Sequence, residues 1–454
     1  MSDFWARRAL GAYRLAGSIA YPVIGPYVAW RASKGKEERP RRRERYGFAS
    51  EIRPHDRPLV WIHAASVGES LAIMPLAQTL AGEGIGVLVT TGTVTSATMI
   101  AERLVPGMIH QYVPLDLRPC VSRFLDHWQP DLALVAESEI WPVTLNELGL
   151  RRIPQVLVNA RLSDRSFRRW RSAPRLAESI MERFAHVAAQ SEVDAERYHL
   201  LGARSVSTVG NLKADIAAPP VNREDLDEAR RMIGLRPVWA AVSTHEGEEA
   251  MAADIHLRLC QDRPRLLTII VPRHVERADA LHRMLSAKGL SVARWSRGEL
   301  PDPTAEVLLG DTIGDMGFYL RLTDIAFIGK SIHAEGGQNP LEAARLNTAI
   351  LSGRLVQNFR DIYGRLIERG GARIVPDAAA LEASVAELFA HPETRRAMAA
   401  AARDSVEEMG GALRRTLNAL DPYLLPLRLA VSMDRQGGDR QGSERPGDRR
   451  SEGR

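Results

Sequence analysis

Cysteine is almost missing from this chain: Cys120 and Cys260 are the only two in 454 residues, and no C-x-x-C or Cys/His cluster surrounds either. That excludes a disulfide framework and a cysteine zinc site, and it fits a reducing compartment. There is no G-x-x-x-x-G-K followed by Ser or Thr and no G-x-G-x-x-G, so neither a P-loop NTPase nor a dinucleotide enzyme is indicated. The G-x-S-x-G elbow is absent too, and without a placed acid partner Ser66 near His63 makes a poor hydrolase. The single D-x-D, Asp225-Leu226-Asp227, reads as the first turn of a helix, which is a weak metal site. An unbroken apolar span is also lacking. The nearest run, residues 9–30, is about long enough to cross a bilayer but is interrupted by Arg14, Pro22, Pro26 and several glycines.

What is present is ordinary globular material, 45% hydrophobic and 26% charged, long enough for two domains of roughly 150 to 200 residues each. The net charge of +5 is modest but concentrated. Residues 1–30 are expected to attach the protein to a membrane. Residues 31–56, with Arg31, Lys34, Lys36, Arg39, Arg41, Arg42, Arg43 and Arg45, form a basic juxtamembrane collar drawn to an anionic membrane surface on the cytoplasmic side. No convincing signal-peptidase site follows the apolar run. Nothing in the charge pattern calls for nucleic acid.

From residue 57 onward short apolar runs alternate with segments of helical period. Runs at 59–63, 85–90, 132–136, 155–158, 187–190 and 206–209 predict parallel strands, with helices over 70–81, 96–104, 121–128 and 192–201 between them. This is the pattern of a doubly wound α/β domain, over 57–216. After the Pro219-Pro220 linker the alternation restarts, with strands at 239–243, 266–271, 307–310, 325–328 and 349–351. A second domain of the same kind is expected over 217–433, with the apolar stretch 423–429 packed against it. Residues 434–454 are polar and glycine-rich and are expected to be disordered.

Ligands of open parallel sheets bind beyond the carboxyl ends of the strands, so the loops there are where chemistry is sought. The first is Ser66-Val67-Gly68-Glu69-Ser70, a glycine loop running into a helix, where unpaired N–H groups favour a carboxylate in the first turn. Glu69 suits a general base, or simply completes the helix dipole. Glu137 and Glu139 precede Trp141-Pro142 and either act there or cap the helix that follows. Lys213 in Gly210-Asn211-Leu212-Lys213 is placed at the end of the domain. In the second domain come Ser243-Thr244-His245-Glu246-Gly247-Glu248, which could cap a helix and bind anions, then Pro272-Arg273-His274, whose Arg273 and His274 suit a phosphate or a base edge or serve only in ion pairs, then Ile313-Gly314-Asp315. Gly336-Gly337-Gln338-Asn339-Pro340-Leu341-Glu342 reads as a capped helix N-terminus suited to a phosphate, with Glu342 available to a ribose.

Taken in order, these motifs resemble the Kdo transferases, enzymes that add 3-deoxy-D-manno-octulosonic acid (Kdo) to a lipid A precursor in lipopolysaccharide synthesis. The matching stretches run from His63 through Glu69, Glu137 through Pro142, Asn159 through Ser163, Gly210 through Lys213, Pro272 through His274 and Gly336 through Glu342. The resemblance implies GT-B architecture, two Rossmann-like domains facing a central cleft, with an N-terminal membrane anchor and location on the cytoplasmic face of the inner membrane. It implies an inverting transfer from CMP-Kdo to a tetra-acylated disaccharide bisphosphate, with no cofactor and no metal. By the same resemblance Glu69 is the proton acceptor, and Glu139 and Lys213 stabilise the transition state. CMP contacts fall on Pro272, Arg273, Ile313, Gly314, Asp315, Asn339, Pro340, Leu341 and Glu342; Asp315 stands where many members carry Glu. Two other readings stay open: a GT-B enzyme with a UDP donor, such as a sugar-nucleotide 2-epimerase, and a non-catalytic sugar-nucleotide-binding protein at the membrane. The arginines at 161, 165, 168, 169, 171 and 175 are either a solvated face or a grip on acceptor phosphates.

Overall fold

Continuous burial of the apolar runs is what makes them strands of parallel sheets, since such sheets are covered on both faces. In the computed structural model, which describes residues 24–26, 28–215, 218–219 and 221–442 with side chains to Met433, the chain divides into two units. One holds residues up to 216 together with those from 411 onward, and the other holds 217–410. The first contains β1 (Leu59–Ala64), β2 (Gly86–Thr91), β3 (Met108–Tyr112), β4 (Leu132–Ala136), β5 (Gln155–Ala160), β6 (His186–Ala189) and β7 (Val206–Thr208). All pair in parallel, in the order β3-β2-β1-β4-β5-β6-β7. The second contains β8 (Val238–Thr244), β9 (Leu267–Pro272), β10 (Val292–Arg294), β11 (Val307–Leu309), β12 (Ile325–Ile328), β13 (Ala349–Ser352) and β14 (Ala372–Ile374). These are parallel as well, in the order β10-β11-β9-β8-β12-β13-β14.

Each sheet carries helices with small or aliphatic inner faces. The helix Val67–Gly82 buries Ala72, Ile73, Leu76, Ala77 and Leu80 against β1 and β2. In the second unit the helix Glu248–Leu259 buries Met251, Ala252, Ile255 and Leu259 beside β8 and β9.

Three strands escaped the sequence reading. β3 reads Met-Ile-His-Gln-Tyr and lacks an apolar run, yet its polar residues find partners inside: His110 Nε2 lies 2.9 Å from Thr91 Oγ1, and Gln111 Oε1 accepts from Trp128 Nε1 at 2.8 Å. β10 and β14 are three-residue edge strands, too short to show a period.

The stretch 423–429 does not join the second unit. It belongs to a long helix, Ala412–Gly442, that returns to the first, where Leu420, Leu424 and Val431 are buried and Leu413, Leu417, Tyr423 and Leu427 pack beside them. Asp215 accepts from the backbone N–H of Gly411 at 2.7 Å at its start, and Arg428 pairs with Glu83 at 2.8 Å. The helix also carries its backbone to Gly442, into the segment expected to be disordered; 443–454 lie outside the described residues.

The basic collar proves to be partly internal. Arg45 is buried, paired with Glu37 at 2.9 Å and donating to the Gly92 carbonyl at 2.6 Å, while Arg41 holds Glu44 at 2.8 Å and the His110 carbonyl at 2.9 Å. Lys34, Lys36, Arg39, Arg42 and Arg43 remain exposed. Most of the expected anchor, residues 1–23, lies outside the described residues, and among those described no helix is long and apolar enough to cross a membrane.

Candidate active site

From β1 the first sheet grows one way through β2 and β3, and from β4 it grows the other way, so β1 and β4 border its topological switch point. A crevice opens beyond the carboxyl ends of such a pair. The loop after β1 delivers Glu69 there, and the loop after β4 delivers Glu137 and Glu139. Ser66 caps the helix Val67–Gly82: its Oγ accepts from Glu69 N at 3.3 Å and donates to Glu69 Oε1 at 2.8 Å, while Glu69 Oε2 accepts from Ala65 N at 2.9 Å. This reciprocal capping box fixes the carboxylate in place. Completing the helix start and facing the crevice are therefore the same act. Burial, followed by the neighbouring Glu137, raises the proton affinity of Glu69, with Glu139 adding to the shift and the bonds from Ala65 and Ser66 opposing it.

Neither acid after β4 caps the helix Pro142–Leu150. Asp116 does that, accepting from Val143 N at 3.1 Å and Thr144 N at 2.8 Å. Glu137 and Glu139 are thereby left for other work. Glu139 Oε2 accepts from Trp141 Nε1 at 2.8 Å, and Glu137 Oε1 accepts from Lys213 Nζ at 2.6 Å. Lys213 is thus paired with Glu137; the sequence reading joined it to Glu139 by role alone and expected no contact between them. Two residues 137 and 139 on one loop are indistinguishable by spacing alone.

The backbone around these groups is held against its preference. Glu137 has φ +53° and Asn159 φ +51°, a left-handed conformation that non-glycine residues adopt at a cost of about 1–3 kcal/mol. Asn159 accepts from Leu212 N at 2.9 Å through Oδ1, and Asn211 Oδ1 accepts from Lys213 N at 2.9 Å. The ends of β4 and β5 and the short 3-10 turn Leu212–Asp215 are in this way tied into one platform under Lys213. Beneath it His63 on β1 is buried, with Nδ1 3.1 Å from the Thr90 carbonyl and its ring edge-on to Trp141 at 5.7 Å. Burial pulls its pKa down to about 4, so it is neutral at physiological pH.

The second sheet repeats the plan with β8 and β12 at its switch point. The residues expected to hold a nucleotide leave the carboxyl ends of β9, β11 and β12, on one edge of this one sheet. Arg273 is exposed, and its backbone N donates to the Thr244 carbonyl at 2.9 Å. Pro272 is buried as the last residue of β9, opposite Thr244. Ile313 is 77% exposed, next to Gly314 at φ +99°. Asp315 accepts from Thr312 Oγ1 at 2.6 Å and Trp295 Nε1 at 3.2 Å, with the Trp295 ring stacked on Phe318 at 4.1 Å.

After β12, Asn339 Oδ1 accepts from Leu341 N at 3.2 Å, while Pro340 and the Leu341 side chain are buried. The helix that opens here, Leu341–Arg345, has five residues. That is too short for the dipole expected of a phosphate-binding helix, so any anion held at this edge depends on side chains and loop N–H groups. Glu342 is half-buried; burial raises its pKa and the Arg273 guanidinium opposes the rise. Among the described residues no group of three His, Cys, Asp or Glu is placed to hold a metal ion. Asp225 lies in the first turn of the helix Arg223–Ile233, as expected.

Sequence reasoning read Ser243 through Glu248 as a stretch able to cap a helix and bind anions, without separate parts for His245 and Glu248, and gave Lys330 no role. Glu248 is fully buried and Glu249 nearly so; the latter accepts from Arg277 at 2.8 Å and Thr244 Oγ1 at 3.1 Å. Two adjacent acids in a polar string read as surface, and only the fold shows them turned inward.

Residues 40–216 match the family described as 3-deoxy-D-manno-octulosonic-acid transferase (kdotransferase). The chain is 34% identical over 412 residues to the 3-deoxy-D-manno-octulosonic acid transferase of Haemophilus influenzae, covering 89% of this chain and 96% of that one. To the enzyme of the same name from Bordetella pertussis it is 36% identical over 384 residues, or 80% and 87% of the two chains. Among solved structures it is similar to a glycosyltransferase from Rickettsia africae, with TM-score 0.56 at 12% identity over 82% of this chain and 99% of that one. It is similar also to the UDP-GlcNAc 2-epimerase of Neisseria meningitidis, with TM-score 0.55 at 15% identity over 80% and 99%. At such identities these two speak for a GT-B-like fold alone. The curated relatives, matched over nearly their whole lengths, decide the rest: this chain belongs to the 3-deoxy-D-manno-octulosonic acid transferase family and is a glycosyltransferase.

Proposed function

We propose that this protein transfers Kdo from CMP-Kdo, with inversion, to a tetra-acylated disaccharide bisphosphate precursor of lipid A at the cytoplasmic face of the inner membrane. The observation that carries the reading is the Glu69 carboxylate, locked by its capping box beside Glu137 and Glu139, with a proton affinity above the ordinary carboxylate range. In the reaction an acceptor hydroxyl oxygen bonds to the anomeric carbon of Kdo as the bond from that carbon to the phosphate oxygen breaks. Glu69 takes the hydroxyl proton, and CMP leaves with the bonding electrons. Lys213, kept in place by Glu137, and Glu139, kept by Trp141, supply fixed charge around the reacting centre. Arg273, Asn339 and Glu342, with the loop of Ile313, Gly314 and Asp315, form the CMP side.

The acceptor is anionic, and the helix Asp164–Arg171 buries none of its side chains while carrying Arg165, Arg168, Arg169 and Arg171. Guanidinium groups on such a face suit bidentate contacts to the acceptor phosphates. The exposed Lys34, Lys36, Arg39, Arg42 and Arg43 suit an anionic lipid surface.

The test is incubation with labelled CMP-Kdo and the acceptor in anionic liposomes, following label in lipid, free CMP and co-flotation of the protein. Labelled lipid of inverted anomeric configuration, matched by released CMP on floating protein, is expected. CMP release without labelled lipid would overturn the acceptor, and protein left at the bottom of the gradient would overturn the location. With Arg165 and Arg168 both replaced by Gln, KM for the bisphosphate should rise while KM for CMP-Kdo holds. An equal defect with a dephosphorylated acceptor would remove the phosphate contact.

A further inference from the structure

The buried Glu248 carboxylate in the second unit has no cation within ion-pair distance among the described residues and is satisfied instead by backbone. Its Oε2 accepts from His245 N at 2.9 Å and Lys330 N at 2.7 Å, and its Oε1 accepts from Ser331 N at 3.0 Å and Ile332 N at 3.3 Å. Those N–H groups belong to the loops leaving β8 and β12, the two strands at the switch point. The clasp leaves no spare room: a Cβ on Gly329 would lie 2.7 Å from Glu248 Oε2, 2.7 Å from the Ser243 carbonyl and 2.7 Å from Thr244 Cα. Ser243, near the end of β8, and Lys330, on the loop after β12, both sit at positive φ, +54° and +57°. Strain of this kind persists where surrounding bonds over-determine the backbone, as four N–H groups on one carboxylate do here.

The residues so placed bring positive charge to the crevice. Lys330 is half-buried, its chain lies over Gly336, and its carbonyl accepts from Gly337 N at 2.9 Å. Among the described residues no carboxylate lies within ion-pair distance of its ammonium. The His245 ring meets His274 edge-on at 5.5 Å, with Nδ1 3.3 Å from the Ser243 carbonyl. Burial first, then the charges of Lys330 and His274, hold down the pKa of His245, with Glu248 and the Ser243 carbonyl opposing. Arg273 follows β9, immediately beside β8. An ammonium without a counter-ion, on a loop leaving one of the two strands at a sheet's switch point, is a site for an anion.

We propose that Lys330, seated by Glu248 as a positioning residue, binds an anionic oxygen of the sugar-nucleotide donor. This rests on the reading that the second unit holds the donor. A CMP-activated sugar acid offers two such oxygens, that of the phosphodiester and that of the sugar carboxylate, and the shared chemistry is a singly charged oxyanion accepting from an ammonium.

The test compares wild type with Lys330→Met and Lys330→Arg, variants that keep a non-glycine residue at the same backbone conformation. Calorimetry with CMP and KM measurements with CMP-Kdo are the readouts. Lys330→Met should weaken CMP-Kdo roughly 10- to 150-fold, the loss expected for a hydrogen bond to a charged group, and Lys330→Arg should recover part of it. An equal loss for CMP identifies the phosphate as the partner, and CMP affinity held at the wild-type value identifies the carboxylate. If wild type binds both ligands and Lys330→Met binds them equally well, the proposal falls. If wild type itself binds neither, the donor reading falls with it.

Discussion

Glu69 shows how one residue is given two duties by its neighbours. Ala65 and Ser66 stabilise its charge with hydrogen bonds, while burial and the carboxylates of Glu137 and Glu139 work against it more strongly, so its pKa is raised. Folded Glu69 consequently binds a proton more tightly than the same residue in the unfolded chain. Folding takes up protons between the two pKa values, and the stability contributed by this group declines as pH rises through that interval. Turnover has the opposite slope, because a general base works only when ionised. Glu137→Gln removes one repelling carboxylate and releases Lys213, and both changes lower the Glu69 pKa. The acid limb of kcat/KM against pH should therefore move to lower pH in this variant; an unmoved limb would separate Glu69 from the titration that controls the rate. The sequence marked Glu69 as a first-turn acid but began the helix at Ser70, so the cap by Ser66, three residues before Glu69, emerged only with the helix start at Val67. The Lys213 to Glu137 pair was not legible either, because it joins residues that only the sheet order brings together.

At the scale of elements, legibility followed burial on both faces. β1, β4 and β5 read as strands because each is a run of apolar residues between two helical layers, whereas β3, a mostly buried edge strand, carries His110 and Gln111 with partners supplied by the fold. Composition has no signal for a polar residue whose partner is supplied by the fold. The helix Ala412–Gly442 failed differently: its apolar spacing was visible, but which core it serves is set by where the chain goes after residue 410. Leu424 is fully buried there. Leu424→Ala should cost the first unit about 2–5 kcal/mol of stability, the usual range for a leucine lost from a core. Denaturation followed by hydrogen exchange in β1 and β2 checks this, and unchanged protection in those strands would show that the helix is no part of that core.

For the whole molecule, both units use the same device, a doubly wound parallel sheet with left-handed backbone at or just beyond the carboxyl ends of strands near the switch point. Glu137 and Asn159 in the first unit correspond in kind to Ser243 and Lys330 in the second. Membership of the Kdo transferase family follows from relatives spanning nearly the full chain, and the acid–base chemistry assigned to Glu69 is what turns that membership into a mechanism. Glu69→Gln keeps the shape and the capping contacts but removes the base, so it separates binding from chemistry. The most direct measurement is the turnover of labelled CMP-Kdo to labelled lipid by wild type and Glu69→Gln, with the CMP affinity of both determined in parallel. The prediction is unchanged CMP affinity and turnover lower by roughly 100- to 10,000-fold. Near-normal label transfer by Glu69→Gln would contradict it.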